Sequence, residues 1–202
     1  MIAYASRTGT KSTIAAMSAA GWRVLISATG VHRSEGLPYA IDNGAFTAFQ
    51  KGRAFDHVAF RALLTSHGAG ADWIVLPDVV ADRSATLTLS RDYLDEFGDR
   101  YPWLLAVQDG MDERDVEAFL PHIIGIAIGG STRWKENSAA MWGAVARKHG
   151  KHLHMLRVNT ARRLAIASSA GCHSFDGTSV TAFPCTLDFL DFHRRQTSME
   201  FL

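Results

Sequence analysis

Six apolar segments of this chain each run into a polar or glycine signature: YAIDNGAF, WIVLPDVVAD, LLAVQDG, GIAIGGSTRWK, HMLRVN and SFDGTS. At those junctions stand Asp42, Asp78, Gln108, Gly129, Gly130, Arg157, Asn159 and Asp176. Gathered on one rim, residues of these types suit a purine-base pocket beside a nucleophile. A carboxylate such as Asp176 can attack a sugar carbon, as carboxylates do in retaining glycosyl chemistry. Asp42, followed by Asn43 and Gly44, can sit in a turn where it binds a base edge or transfers a proton; an Asx-turn or a helix cap accounts for it equally well. Pro77 restricts the backbone beside Asp78 and keeps that acid close to the rim. Gln108 offers both a donor and an acceptor to the amide edge of a purine, while Asp109 is expected to cap the following turn. The Gly129-Gly130 pair lets backbone N–H groups approach a planar ligand or an oxyanion, though ordinary turns use such pairs too.

The elements that would position these residues alternate between strand and helix along the whole chain. Strands are predicted over IAYAS (2–6), WRVLISA (22–28), YAID (39–42), DWIVLPD (72–78), WLLAVQD (103–109), GIAIGG (125–130), HLHMLRV (152–158) and SFDGTS (174–179). Helices are expected at 11–20, 45–50, 83–97, 112–120, 135–149, 160–169 and 186–196, and within 54–68, where Val58, Leu63 and Leu64 would share a face. Asp82 reads as the N-cap of the helix at 83–97. Eight near-continuous apolar strands, each followed by helical character, spell a single (β/α)8 barrel over residues 1–202. In that fold, residues at the C-terminal ends of the strands face one side and carry the active site. A doubly wound open sheet is the alternative, but the chain has no opening GxGxxG.

Composition bounds the partners. With 202 residues, 47% apolar and 20% charged, the chain can bury a substantial core. No signal segment opens it and no apolar run is long enough for a bilayer, so a cytoplasmic protein without a membrane partner is expected. Cys172 and Cys185 have no CxxC partner and the histidines lack ligand spacing, so no metal site is expected. His152 and His154 would lie on one face of a strand and read as packing or surface residues. Net charge is only +1, yet its distribution is uneven. An acidic sector covers 92–117, and a basic one covers 131–163 with Arg133, Lys135, Arg147, Lys148, Lys151, Arg157, Arg162 and Arg163 against Glu136 alone. That basic sector could lie on a phosphate backbone, or be a solvated face. Arg157, Asn159, Arg162 and Arg163 follow strand seven, a habitual phosphate site of such barrels.

The ordered set IDNGAF, PDVVAD, VQDG, IAIGG and FDGTS resembles the tRNA-guanine transglycosylase superfamily, and is most similar to the compact DpdA-type branch, often phage-encoded, that exchanges guanine in DNA for a 7-deazaguanine (preQ0-like) base. The resemblance covers about residues 39–180. It implies a TIM barrel in which Asp176 is the nucleophile that attacks C1′ and displaces guanine, while Asp42 binds the base and assists proton transfer. It further implies that Asn43, Gly44, Asp78, Gln108, Gly129 and Gly130 surround the base, and that no cofactor is needed. The chain departs from the tRNA enzymes in having Asn43-Gly44-Ala45 where they carry Ser-Gly-Gly. It shows no counterpart of their Cys/His zinc module, and GTSVTAFP stands in place of their basic segment. These departures favour DNA over tRNA as the polymer and place its phosphates on Arg133, Lys135, Arg157, Asn159, Arg162 and Arg163. The location expected is then cytoplasmic, in the host if phage-encoded. Rival expectations are a hydrolase of N-glycosidic bonds, a tRNA-guanine transglycosylase, and a non-catalytic nucleic-acid-binding barrel. Phe189, Phe192, Phe201 and Leu202 could serve a homodimer contact.

Overall fold

The computed structural model describes residues 1–6, 10–182 and 185–199. Eight strands form a closed parallel barrel in chain order: β1 (Ile2–Ser6), β2 (Arg23–Ser27), β3 (Tyr39–Asp42), β4 (Ile74–Val75), β5 (Trp103–Val107), β6 (Gly125–Ile128), β7 (His152–Met155) and β8 (Ser174–Gly177). The barrel closes where β8 pairs with β1, with Tyr4 opposite Asp176. Around it lie α1 (Lys11–Ala19), α2 (Ala45–Gln50), α3 (His57–His67), α4 (Arg83–Phe97), α5 (Glu113–Glu117), α6 (Thr132–Lys148), α7 (Ala161–Ser169), α8 (Ser179–Ala182) and α9 (Cys185–Met199). The (β/α)8 barrel read from the sequence is therefore the fold. Between β2 and β3 the described connection is a loop.

Strand alternation divides the core into two layers, because successive side chains point to opposite faces. Outward-facing residues such as Val24, Ile26, Ile41, Ile74, Leu105 and Phe175 pack with Trp22, Phe60 and Trp142 in one large cluster beneath the helices. Inward-facing Tyr4, Leu25, Ala40, Trp73, Val75, Leu104, Ala106 and Ala127 fill the barrel itself. The inner layer is small and includes fully buried His154 and Ser174 in the same phase of β7 and β8. Polar groups inside a barrel need partners, and these find them in one another.

The helix starts follow side-chain caps. Asp56, Asp82, Asp112, Ser131 and Thr160 each accept a hydrogen bond from a first-turn N–H, and Asp112 with Asp115 completes a capping box. Asp82 thus plays the part expected of it. Ser131 starts α6 three residues earlier than the predicted 135. In α3 the buried face is Phe60, Leu63 and Leu64, whereas Val58 is exposed. The cap at Asp56 sets the helix register, and in that register Val58 turns outward in the first turn. The β4 ladder is shorter than the predicted 72–78, holding register only at Ile74 and Val75 before Pro77, which has no N–H to contribute. Among the described residues no helix is long and apolar enough to cross a membrane.

Candidate active site

The C-terminal rim of the barrel opens into a cleft of about 170 Å3 lined by Asp42, Asn43, Asp78, Gln108, Gly129, Gly130, Arg157 and Asp176, with Phe46, Leu156 and Thr178 among its walls. Six strand ends, those of β3 to β8, supply these groups, so the closed sheet, not any local motif, brings them together. Asp42 ends β3 and accepts the N–H of Gly44 at 3.2 Å. Gly44 has φ of 86°, a left-handed conformation that glycine adopts without steric cost and that starts α2 immediately behind the acid.

Asn43 is buried and joins two elements. Its Nδ2 donates to Leu76 O at 2.8 Å and to Asp78 Oδ1 at 2.6 Å, while its Oδ1 accepts the Ala45 N–H at 2.7 Å. The second Asp78 oxygen accepts from Gln108 Nε2 at 2.7 Å, and Gln108 Oε1 accepts the Ala81 N–H at 3.0 Å. The Asp78 carboxylate therefore bridges two amides. A Cβ on Gly129 would lie 2.7 Å from Gln108 Nε2, so glycine there leaves the amide room. Gly129 N–H donates to Val107 O at 3.0 Å, so of the pair only Gly130 can offer a backbone donor to a ligand.

Across the cleft, Asp176 is buried on β8 and takes two hydrogen bonds on the same oxygen. Arg157 N and His154 Nε2 both lie 3.1 Å from its Oδ1. Arg157 has φ of 60°, unusual for a residue with a side chain. This turn aims its N–H at Asp176 and carries its guanidinium over the Phe46 ring, 4.0 Å from the centroid, where it donates to Gly130 O. The next residue, Gly177, is held just as closely: a Cβ there would come within 2.6 Å of Val158 O and 2.9 Å of Asn159 Oδ1.

Burial sets the proton affinities. It pushes the Asp42 carboxyl up to about 7, with the charges of Asp176 and Asp78 adding to the rise and the Gly44 N–H opposing it. Burial also raises Asp78 to about 6, a rise moderated by the Asn43 amide and by Arg157. Near neutral pH the cleft can thus hold a proton on one side. Among the described residues no group of three or more His, Cys, Asp or Glu side chains is placed to hold a metal ion.

Of the residues expected to bind phosphate, only some are available on the surface. Lys135 is fully buried and donates to Leu156 O, so it supports the turn before Arg157 and does not meet a nucleic acid. Its burial, with the Arg157 charge, lowers the ammonium to about 7 against the pull of Asp176. The basic run in which it was read is helical, and its position falls on the inward face of α6. Arg157 points across the cleft mouth, and Asn159 Oδ1 accepts the Ser179 N–H at 3.1 Å. Arg162 and Arg163 both pair with Glu136 at 3.0 Å, and Arg133 is exposed. Asp109 does not cap its own turn; it accepts the N–H and hydroxyl of Ser131 at 2.6 and 2.5 Å, tying the β5 loop to the β6 loop. His154, Ser174 and Phe46 join the site without having been expected there. For His154 and Ser174 the signal was present: each lies two residues, one inward step, from a rim position.

Phe189 and Phe192 stand exposed on α9, while Phe201 and Leu202 lie outside the described residues, as do Phe183 and Pro184 of the GTSVTAFP segment. No protein-family model matches the chain, and no curated protein matches it.

Proposed function

We propose that this protein is a DNA-guanine transglycosylase, which exchanges guanine in DNA for a 7-deazaguanine base through a covalent aspartyl-glycosyl intermediate. The observation that carries the reading is the division of the cleft. A carboxylate on β8 is anchored through one oxygen, and opposite it stand a proton-holding acid and a second carboxylate bridged by amides. The resemblance of the five strand-end motifs to the transglycosylase superfamily supports the same assignment.

In the first step an Asp176 oxygen attacks C1′ of the target nucleotide through an oxocarbenium-like transition state. The N-glycosidic electron pair leaves with guanine, and Asp42, protonated near neutral pH, supplies a proton to the departing base. In the second step the 7-deazaguanine occupies the same pocket and yields its proton to the Asp42 carboxylate. Its ring nitrogen then takes C1′ back from Asp176, which regains its negative charge. Asp78 and Gln108 are placed to read the base edge: the carboxylate accepts from ring and exocyclic N–H groups, and the amide does both. The base must leave the stack to reach the mouth of a barrel, so the target nucleotide is flipped or unpaired. Arg133 and Arg162, on the rim side of α6 and α7, are the cations offered to its phosphates. Phe189 and Phe192 offer an apolar patch to a second copy of the chain.

The test is capture of a protein–DNA adduct on a denaturing gel, with labelled guanine as co-substrate. Wild-type protein should form the adduct and move label into DNA, and Asp176→Ala should do neither. An adduct that survives Asp176→Ala would sink the nucleophile assignment. Release of base without incorporation would point to water as the acceptor and to a hydrolase. Binding of DNA without turnover on any deazapurine would leave a recognition barrel.

A further inference from the structure

Beneath Asp176 the barrel interior carries a continuous line of polar side chains. His154 Nε2 lies 3.1 Å from Asp176 Oδ1, and its Nδ1 lies 2.8 Å from Ser174 Oγ. Ser174 Oγ in turn lies 2.7 Å from His152 Nε2, and the His152 ring stacks on His173 with centroids 5.0 Å apart. The line runs from the cleft through the inner layer to the opposite rim. His154 and Ser174 are both fully buried, His154 with its ring 4.3 Å from the Trp73 centroid and 6.1 Å from that of Tyr4.

The donors and acceptors fit in one direction. Burial in this apolar layer lowers the proton affinity of His154 despite the neighbouring Asp176, so the ring carries one proton. His152 is lowered to about 3, again by burial and then by the adjoining histidines. A carboxylate oxygen only accepts, which puts the His154 proton on Nε2. Its Nδ1 must then accept, and the hydrogen it meets is that of the Ser174 hydroxyl. With that hydrogen committed, Ser174 Oγ accepts from His152 Nε2–H. Every link donates toward Asp176.

We infer that His154 is a positioning residue for Asp176, set in its Nε2–H tautomer by the carboxylate and held in place at Nδ1 by Ser174 and, behind it, by His152. The inference rests on the reading of Asp176 as nucleophile. Both hydrogen bonds fall on Oδ1, which fixes the plane of the carboxylate and leaves Oδ2 to the cleft. A neutral N–H orients the anion while leaving it more of its charge than an imidazolium would. Asp176 selects the tautomer, and Ser174 supplies the donor for the Nδ1 that this tautomer leaves bare, which without the hydroxyl would be a buried acceptor lacking that partner.

The experiment pairs a spectroscopic readout with a kinetic one on the full chain. Long-range 1H–15N spectra of the wild-type protein should show His154 as a neutral ring protonated at Nε2. Ser174→Ala should shift the His154 Nδ1 resonance, which loses its hydrogen-bond donor, and slow single-turnover adduct formation about 10–100-fold, the range seen when a group that orients a functional ligand is removed. DNA affinity should hold, and Ser174→Thr, which keeps the hydroxyl, should recover both signals. If Ser174→Ala does not fold, His152→Leu breaks the same line one link away and should shift the Nδ1 resonance less. A protonated or Nδ1–H ring in the wild type, or a Ser174→Ala protein with unchanged Nδ1 resonance and rate, overturns the inference. The spectra need no turnover: the expected Nδ1 shift in a protein that exchanges no base would support the line of donors and sink only the transglycosylase reading.

Discussion

The two sides of the cleft hold their carboxylates by different means. On the β3–β5 side, Asp78 is bridged by the Asn43 and Gln108 amides, and Asp42 next to it accepts the Gly44 N–H of its own turn. On the β7–β8 side, Asp176 is gripped through one oxygen by an imidazole and a backbone N–H, with Lys135 and Arg157 nearby. The first arrangement accommodates a proton; the second orients an anion. A single barrel rim thus holds a proton-carrying acid and an oriented carboxylate at once, because neighbouring strand ends can be furnished independently.

Exchanging the acids for amides is the strongest way to break this comparison. Asp176→Asn should lower adduct formation by about 10³-fold or more, since it removes the nucleophile itself. Asp42→Asn should still form some adduct but fail to take up the incoming base, as a chase with unlabelled 7-deazaguanine would show. Equal loss in both steps for both variants would erase the distinction. A smaller effect is expected at Gln108. Gln108→Ala leaves Asp78 without one of its amides and should raise KM for the free base about tenfold to a hundredfold, the cost of a lost buried hydrogen bond to a charged group.

Stability should report the same asymmetry with a sign. The Asp42 carboxyl is raised from 3.8 to about 7 in the folded protein. Below pH 4 folded and unfolded chains both carry the proton, so the full stability is present. Between there and about 7 the folded chain keeps a proton the unfolded chain has released, and stability falls as pH rises through that window. Asp42→Asn removes this loss, so its melting temperature should exceed that of the wild type at pH 8 by roughly 2–4 °C for each kcal/mol relieved, and by less at pH 4. Equal melting differences at the two pH values would show that Asp42 is not strained by burial.

The smallest effect separates two cations of one helix. Arg133→Ala should reduce the salt slope of DNA binding by about one, as loss of a phosphate contact does. Lys135→Met should leave that slope unchanged and lower the thermal midpoint, because Lys135 supports Leu156 O inside the molecule.

Lys135 also marks where reading the sequence stops. The eight strands and the positions of Asp42, Asp78, Gln108 and Asp176 were legible, because apolar runs with polar ends report which residues reach a rim. Charge counting could not tell Arg133 from Lys135: two residues apart on a helix, one faces solvent and the other the barrel. The bridge from Asn43 to Asp78, and the line from His152 to Asp176, depend on which strands become neighbours in space. The left-handed turn at Arg157 had no glycine to announce it. Asp109 is the reverse case: its position suggests a local cap, whereas its partner, Ser131, comes from the next loop.

The missing side chain of Gly177 bears on the width of the site. With Val158 O and Asn159 Oδ1 pressed against its α-carbon, a single hydrogen atom acts as the spacer between β8 and the turn that follows β7. The gauge of the cleft at Asp176 is therefore set from below by a residue with no chemistry of its own. A methyl group there would push against Val158 O and Asn159 Oδ1, and so displace the turn whose Arg157 N–H holds the carboxylate. The FDG tripeptide is best understood as one part, a carboxylate together with the shim that fixes its height.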